Sequence, residues 1–441
     1  MTIISQLAFV VILGFFGFLL YKRITRIKKN IQLGRDQQID DRKGDRLRQM
    51  LLVAFGQQKM FKKPLPAFLH LLIYVGFILI NIEVLEIILD GLLGTHRVFA
   101  PFLGGFYTFL ISFFEVLALL VIFSCVVFLI RRNVTKIPRF HKIEMKGWPT
   151  LDANLILIIE IVLMKAILTM NATDLVLQDL GNANYAQTGT FLISGMFVDF
   201  FDGFSESTLV IMERAAWWFH IVGIFAFAVY VTYSKHLHIF LAFPNTYYSR
   251  LEPKGKMNNM QEITNEVKIM LGMNTGEEAS PPPEGMKFGA KDVNDLSWKN
   301  LMDAYACTEC GRCTAECPAN ITGKKLSPRK IMMDTRDRME DVGLSLQKGG
   351  KGLEDGKSLL GDYISKEELN ACTSCNACVE ACPVTINPLD IILQMRRYVA
   401  MEESAAPQSW NMMFQNVETN FAPWKFAPTD RFNWAQEINE K

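Results

Sequence analysis

The chain has 441 residues, in which 46 Lys and Arg nearly cancel 45 Asp and Glu, with 9 Cys and 6 His. That balance offers no field for nucleic acid, and a hydrophobic share of 50% against 21% charged residues excludes a disordered chain. Nearly all the long apolar runs precede Phe243 and eight cysteines follow Ala306, which excludes a single soluble globule and a disulfide-stapled secreted domain.

Residues 3–21 form a 19-residue run without a charge, long enough to cross a bilayer as a helix. A signal peptide fits poorly, because the positive cluster follows the run and no small-residue cleavage site stands out. Further apolar stretches at about 65–89, 106–130, 151–170 and 213–240 bring the expected transmembrane helices to five. Residues 45–61 mix Arg46, Arg48 and Lys59 with Leu47, Leu51, Val53 and Phe55, which predicts an interfacial amphipathic helix. The run 188–201 is too short to span and is expected at the interface.

Lysine and arginine set the orientation. Residues 22–48 carry ten, residues 131–146 carry six, and residues 171–210 carry none. The amino terminus is therefore expected outside an inner (cytoplasmic) membrane, with the C-terminal domain in the cytoplasm. That compartment is reducing, so free thiols can serve there as metal ligands.

Haem held between helices needs neutral imidazoles pointing inward from facing spans. His70 begins the second span, and His220, His236 and His238 belong to the fifth. Eighteen residues make five whole helical turns, so His220 and His238 are expected on one face, about 27 Å apart, with His236 rotated away by about 160°. Depth pairs His70 with His238 as a bis-histidine site for a b-type haem. His220, near the outer surface, is a candidate for a second haem, with an open or unusual second ligand, or for a quinone headgroup. His96 is a remote partner for it, and an interhelical hydrogen bond is the plain alternative for any lone membrane histidine. Glu83, Glu86, Glu115, Glu160, Lys165, Glu213 and Arg214 also fall inside spans, where charge is costly unless paired. They are expected to form salt bridges or to snorkel, or else to line a quinol site.

Residues 244–293 read as a linker, with prolines 281–283 inside the stretch 276–285. A helix is expected at 294–306. Then Cys307, Cys310, Cys313 and Cys317-Pro318 are repeated in spacing by Cys372, Cys375, Cys378 and Cys382-Pro383. Three thiolates on a tight loop occupy three corners of a [4Fe–4S] cube, and the fourth cysteine reaches the other cluster. One cube is thus assigned Cys307, Cys310, Cys313 and Cys382, and the other Cys372, Cys375, Cys378 and Cys317. Zinc prefers paired Cys-x2-Cys or mixed Cys and His sets, so it is the poorer reading. A proline after each fourth cysteine suits the first turn of a helix. The stretch TGKKLSPRK (322–330) lacks the glycine spacing of a phosphate loop. Cys125 in the third span is a packing residue.

The membrane half resembles the cytochrome b (gamma-type) subunit of respiratory nitrate reductase and the membrane subunit of heterodisulfide reductase. The resemblance rests on five spans, His70 on the second, and WWFH…YSKHLHIF…PN on the fifth. Dihaem members of that family carry two histidines on the second span, whereas His70 stands alone here. The second half resembles the ferredoxin-like part of heterodisulfide reductase, through CTECGRCTAECPANITGKKLSPRK, CTSCNACVEACPVTINPLDIILQMRR and the tail ETNFAPWKFAPTDRFNWA. In those relatives a cysteine-rich catalytic half commonly follows. The resemblance therefore implies such a half on a partner subunit in the cytoplasm, docked by the tail.

The expected architecture is mainly α. It comprises a five-helix cytochrome b-like membrane bundle (1–243), a linker with an amphipathic segment (244–293), a bacterial-ferredoxin-like domain for two [4Fe–4S] clusters (294–400) and a C-terminal tail (401–441). The expected function is electron transfer between the quinone pool, haem b, two [4Fe–4S] clusters and a heterodisulfide reductase-like partner. The alternative is a haem-free iron–sulfur membrane anchor or redox sensor.

Overall fold

The computed structural model of the chain describes residues 3–273 and 287–439. The proline-rich stretch 276–285 lies outside the described residues. Among the described residues, five helices are long and apolar enough to cross a membrane: α1 (Ile3–Ile31), α3 (Pro64–Leu93), α4 (Gly105–Asn133), α5 (Trp148–Asp179) and α6 (Glu206–Val231). Between α1 and α3 lies the short α2 (Lys43–Met50). The first four spans outrun their apolar stretches, because the residues beyond are good helix formers and no breaker intervenes. α5 packs along both α4 and α6, α3 lies along α4, and α1 leans on α3 and α6. The outward faces stay apolar and exposed, with Phe18, Phe109 and Phe219 among them, as helices solvated by lipid require.

The segment expected as one amphipathic helix over 45–61 is broken into α2, a π turn at Leu51–Phe55 and a 3-10 turn at Met60–Lys62. Gly56 and the positive φ of Gln57 stop the helix there. The run 188–201 folds into two short turns, Ser194–Phe197 and Val198–Phe201, tucked against α5.

The fifth apolar stretch is not one helix. α6 ends at Val231, a 3-10 turn covers Lys235–Leu237, and α7 (His238–Tyr247) follows. Side chains stabilise the break. Ser234 Oγ accepts from the His236 N–H, Asp152 accepts from the Lys235 N–H at 3.2 Å, and Arg23 donates to the freed Thr232 carbonyl at 3.2 and 3.3 Å. The expected helical phase linking His220 to His238 is therefore lost, and with it the reason for His236 to face elsewhere.

The C-terminal domain is built on α8 (Trp298–Ala306), α9 (Pro328–Gln347) and α10 (Pro388–Met401), with α11 (Gln408–Asn420) outside it. Its apolar core takes in Ile27 of α1 and Leu237 of the break. The basic end of α1 runs beyond the bilayer into this domain: Arg23 forks onto Glu340 at 2.6 and 3.0 Å, and Asn30 donates to Tyr305 Oη at 2.8 Å. The Arg35 and Trp298 backbones are cross-linked through Arg35 N–H to Leu296 O at 2.7 Å and Trp298 N–H to Arg35 O at 3.0 Å. A Cβ on Gly34 would stand 2.6 Å from the Trp298 nitrogen, so this contact tolerates only glycine. Burial would push the Glu340 carboxyl up, but Arg23 and Tyr305 outweigh it and hold it below the ordinary carboxylate range.

Candidate functional site

The two cysteine motifs share one backbone pattern. Residues two and four places after the leading cysteine take positive φ, at Glu309 (53°) and Gly311 (69°) in the first and at Ser374 (55°) and Asn376 (62°) in the second. Glycine and asparagine are the residues that bear this conformation most readily. Each loop then closes with a short helix, Arg312–Ala315 or Ala377–Ala381. Pro318 opens the helix Pro318–Ile321 after Cys317, as expected. Pro383 opens no helix: the chain turns after Cys382, and α10 waits for Asn387, whose side chain caps the Asp390 N–H, and for Pro388.

The thiols gather across the two motifs. Cys307, Cys310, Cys313 and Cys382 line one small cavity, closed by Gly311, Met332 and Ile386. Cys372, Cys375 and Cys317 lie near enough to act on the Cys378 thiol. Burial pushes Cys307 and Cys378 up to about 12 and Cys382 to about 11, with the neighbouring thiols adding to each shift. Backbone N–H groups point at sulfur from Ser374 onto Cys372 at 3.4 Å and from Ile386 onto Cys382 at 3.3 Å. Among the described residues no three His, Cys, Asp or Glu side chains converge as the ligands of one metal ion. Cys375 alone of the eight is exposed, and α11 lies close by, where Arg396 bridges Cys372 O at 2.6 Å and the Trp410 ring at 5.9 Å.

The histidines meet at the end of the bundle that carries this domain. The rings of His70 and His238 lie with centroids 6.3 Å apart, tilted by 41°. The Nδ1 of His70 faces Gln57 Oε1 at 3.1 Å, and the Nδ1 of His238 faces the Lys235 carbonyl at 3.1 Å. Each ring is thus oriented by a hydrogen bond on one nitrogen, leaving Nε2 for another ligand. Two imidazoles bonded to one iron from opposite sides at about 2 Å each would have ring centres about 6 Å apart, close to the spacing of this pair. His236 is also here, 5.3 Å from His238 and edge-on to it. His220 stands apart, fully buried, with Nδ1 on the Leu163 carbonyl at 2.9 Å and Nε2 without a partner. His96 lies against Asp174 at 3.6 Å and against the Tyr185 ring. His141 is exposed.

Three features had little or no signature in sequence. Lys235 reaches from the break to the Glu309 carboxylate inside the first cysteine loop, and Arg336 joins Glu309 at 2.9 Å. Burial opposes ionisation of Glu309, yet Arg336 and Lys235 hold its carboxyl below the ordinary range. Gln57 was unremarkable as a residue before a span. Arg97 organises the far end of the bundle, bonding Asp174, Asn171 at 2.9 Å and Tyr107 Oη at 3.1 Å, while Tyr107 donates to Glu86 at 2.7 Å. Its only signal was to be the lone cation of an outer loop. Of the acids expected inside spans, Glu115 accepts from the Ile193 and Ser194 N–H groups at 2.9 and 3.0 Å, and Glu213 pairs with Arg214. Lys165 is exposed on the lipid-facing side.

The profile of the 4Fe-4S dicluster domain matches residues 306–386. A probable iron-sulfur-binding oxidoreductase FadF of Bacillus subtilis is 27% identical over 99% of this chain and 61% of its own length. An EtfAB:quinone oxidoreductase of Syntrophomonas wolfei is 27% identical over 90% of this chain and 55% of its own. A probable membrane-anchored ferredoxin of Chromohalobacter salexigens is 34% identical over 34% of this chain and 25% of its own. The chain thus spans about three fifths or less of the length of these relatives. No solved structure matches. The homologues are iron–sulfur oxidoreductases, a membrane-anchored ferredoxin and heterodisulfide reductase subunits, and the chain is a multi-pass membrane protein with a 4Fe–4S dicluster domain.

Proposed function

We propose that this protein carries electrons between a quinone and a cysteine-rich redox partner, through a b-type haem at His70 and His238 and two [4Fe–4S] clusters. The observation that carries this reading is the 6.3 Å pairing of two oriented imidazoles, tied to the first cysteine loop through Lys235. Lys235 orients His238 through its carbonyl and holds Glu309 of that loop through its ammonium. Arg312 of the same loop lies close enough to act on His70 and reaches Lys59 O at 3.5 Å.

Cys307, Cys310, Cys313 and Cys382 would hold the cluster next to the haem, and Cys372, Cys375, Cys378 and Cys317 the cluster further out. Haem and clusters supply one-electron redox chemistry when bound. The chain fixes their order, excludes water by burying four of the eight thiols and half-burying three more, and offers N–H groups to sulfur, which tunes potential. Exposed Cys375 and the exposed apolar side chains Trp410, Phe414 and Trp424 mark the exit to the partner. Heterodisulfide reductase subunits among the relatives support a thiol-rich partner, and the quinone oxidoreductase supports a quinone. His220, with its unpartnered Nε2, is the second haem or quinone ligand of this reading.

The lysine and arginine bias supports an inner membrane with the cluster domain cytoplasmic and the amino terminus outside. The test is the dithionite-reduced spectrum of the anaerobically purified chain, read beside cluster EPR. A b-type band together with two cluster signals is expected. Clusters without a b-type band would instead make the chain a haem-free anchor.

A further inference from the structure

A second cavity, distinct from the one the first cysteine set lines, opens where the membrane bundle meets the cluster domain. It measures about 930 Å³ and is walled by α2, the π turn after it, residues 248–254 and the second cysteine loop. Seven lysines and arginines face five carboxylates there. Five of the cations are matched by Asp41, Glu380 and Asp303. Glu252 is held by Arg42 at 2.7 Å, and Asp390 by the Asn300 amide at 2.9 Å.

Two cations remain. Arg250, half-buried as a residue, has its Nε and Nη2 buried and without a hydrogen-bond partner among the described residues. Lys59 has, among the described residues, only the Val379 carbonyl, at 3.3 Å. A guanidinium cannot shed its charge, so a buried unpaired one calls for an anion. The same wall is amphipathic. Arg46, Gln49 and Val53 face the cavity, while Leu47, Leu51, Leu52 and Phe55 are 44–48% exposed on the side toward lipid. An anion that sits here with its body in the bilayer is a lipid headgroup.

We propose that this cavity binds the phosphate of an anionic phospholipid through Arg250 and Lys59, seating the cluster domain on the membrane surface. Basic pockets beside transmembrane helices take such headgroups, and each basic residue near the surface contributes about fivefold in affinity. Arginine suits the role because its planar fork matches two phosphate oxygens at once.

The test uses the full chain in nanodiscs of phosphatidylglycerol and phosphatidylcholine, with native mass spectrometry of retained lipid, and a separate titration with inorganic phosphate in detergent. Selective retention of phosphatidylglycerol is expected, falling about fivefold in Arg250→Gln and in Lys59→Gln but not in Lys268→Gln, whose lysine lies outside the cavity. Arg250→Lys should fall between wild type and Arg250→Gln, which separates loss of the fork from loss of charge and keeps the test valid should Arg250→Gln fail to fold. If inorganic phosphate binds and the same variants weaken it while phosphatidylglycerol shows no preference, the site stands with free phosphate as its occupant. If neither ligand responds to Arg250 or Lys59, the proposal is overturned.

Discussion

The His70 and His238 rings stand 6.3 Å apart, brought together by the break that ends α6 at Val231. Without that break His238 would continue down the helix, with no carbonyl free to orient its Nδ1. His238→Ala should therefore remove the b-type absorption band almost entirely while both cluster EPR signals remain. His236→Ala should keep the band, because His236 meets His238 edge-on, while His70 and His238 form the 6.3 Å pair. Loss of the band in the second variant and not the first would move the ligand two residues along the chain.

Crossed ligation makes a counterintuitive forecast for Cys317. Its thiol lies near Cys372 and Cys378, not with the loop that precedes it in sequence. Cys317→Ser should perturb the outer cluster and leave the inner one, which iron analysis would read as a loss of up to half the iron. Cys382→Ser should do the reverse.

Gly34 fixes the chain where the basic end of α1 meets α8. Gly34→Val would drive its side chain into the Trp298 nitrogen, 2.6 Å from the Cβ position, at a cost of about 1–3 kcal/mol. Hydrogen exchange at the Arg35 and Trp298 amides should rise, with the redox spectra of a folded fraction unchanged.

The Arg23–Glu340 pair makes the docking of the two halves pH-dependent. The Glu340 carboxyl is held below its ordinary value of about 4.5, so its contribution is complete above that value and is lost as pH falls through the lowered one. Proteolysis between membrane and cluster domain should stay slow from neutral pH down to the ordinary carboxylate value and accelerate only as pH falls below it. Glu340→Gln should weaken docking by roughly 1.5–3 kcal/mol at neutral pH and remove this acid step.

Iron removal is the fifth handle. Cys307, Cys317 and Cys382 are part of the domain's buried core, so binding of the clusters is coupled to the packing of that core. Chelation under reducing conditions should lower helical content and expose residues 307–386 to protease, with the five membrane helices unaffected by circular dichroism in detergent.

Much of this could be read from residue order. The five spans declare themselves by length and apolarity, because lipid demands a continuous apolar surface that needs no tertiary partner. The cysteine repeat declares itself because cluster ligation imposes fixed short spacings. What stayed hidden depends on contacts distant in sequence. The break after Val231 is set by Asp152 and by Arg23, which lie 83 and 209 residues away from the groups they hold. A helical wheel assumes an unbroken helix, so it put His236 on the wrong side. Arg97 and Lys235 likewise have meaning only through partners on other helices.

The most direct test of the central claim is electron flow through the assembled chain in proteoliposomes. A reduced quinol added to the oxidised protein, or a low-potential reductant added to the cluster side, should change the b-type band and both cluster signals together. His238→Ala should sever that coupling while the clusters still respond to the soluble reductant. Cluster reduction by quinol that proceeds unchanged in His238→Ala, or a purified chain with both clusters and no porphyrin, would contradict the account.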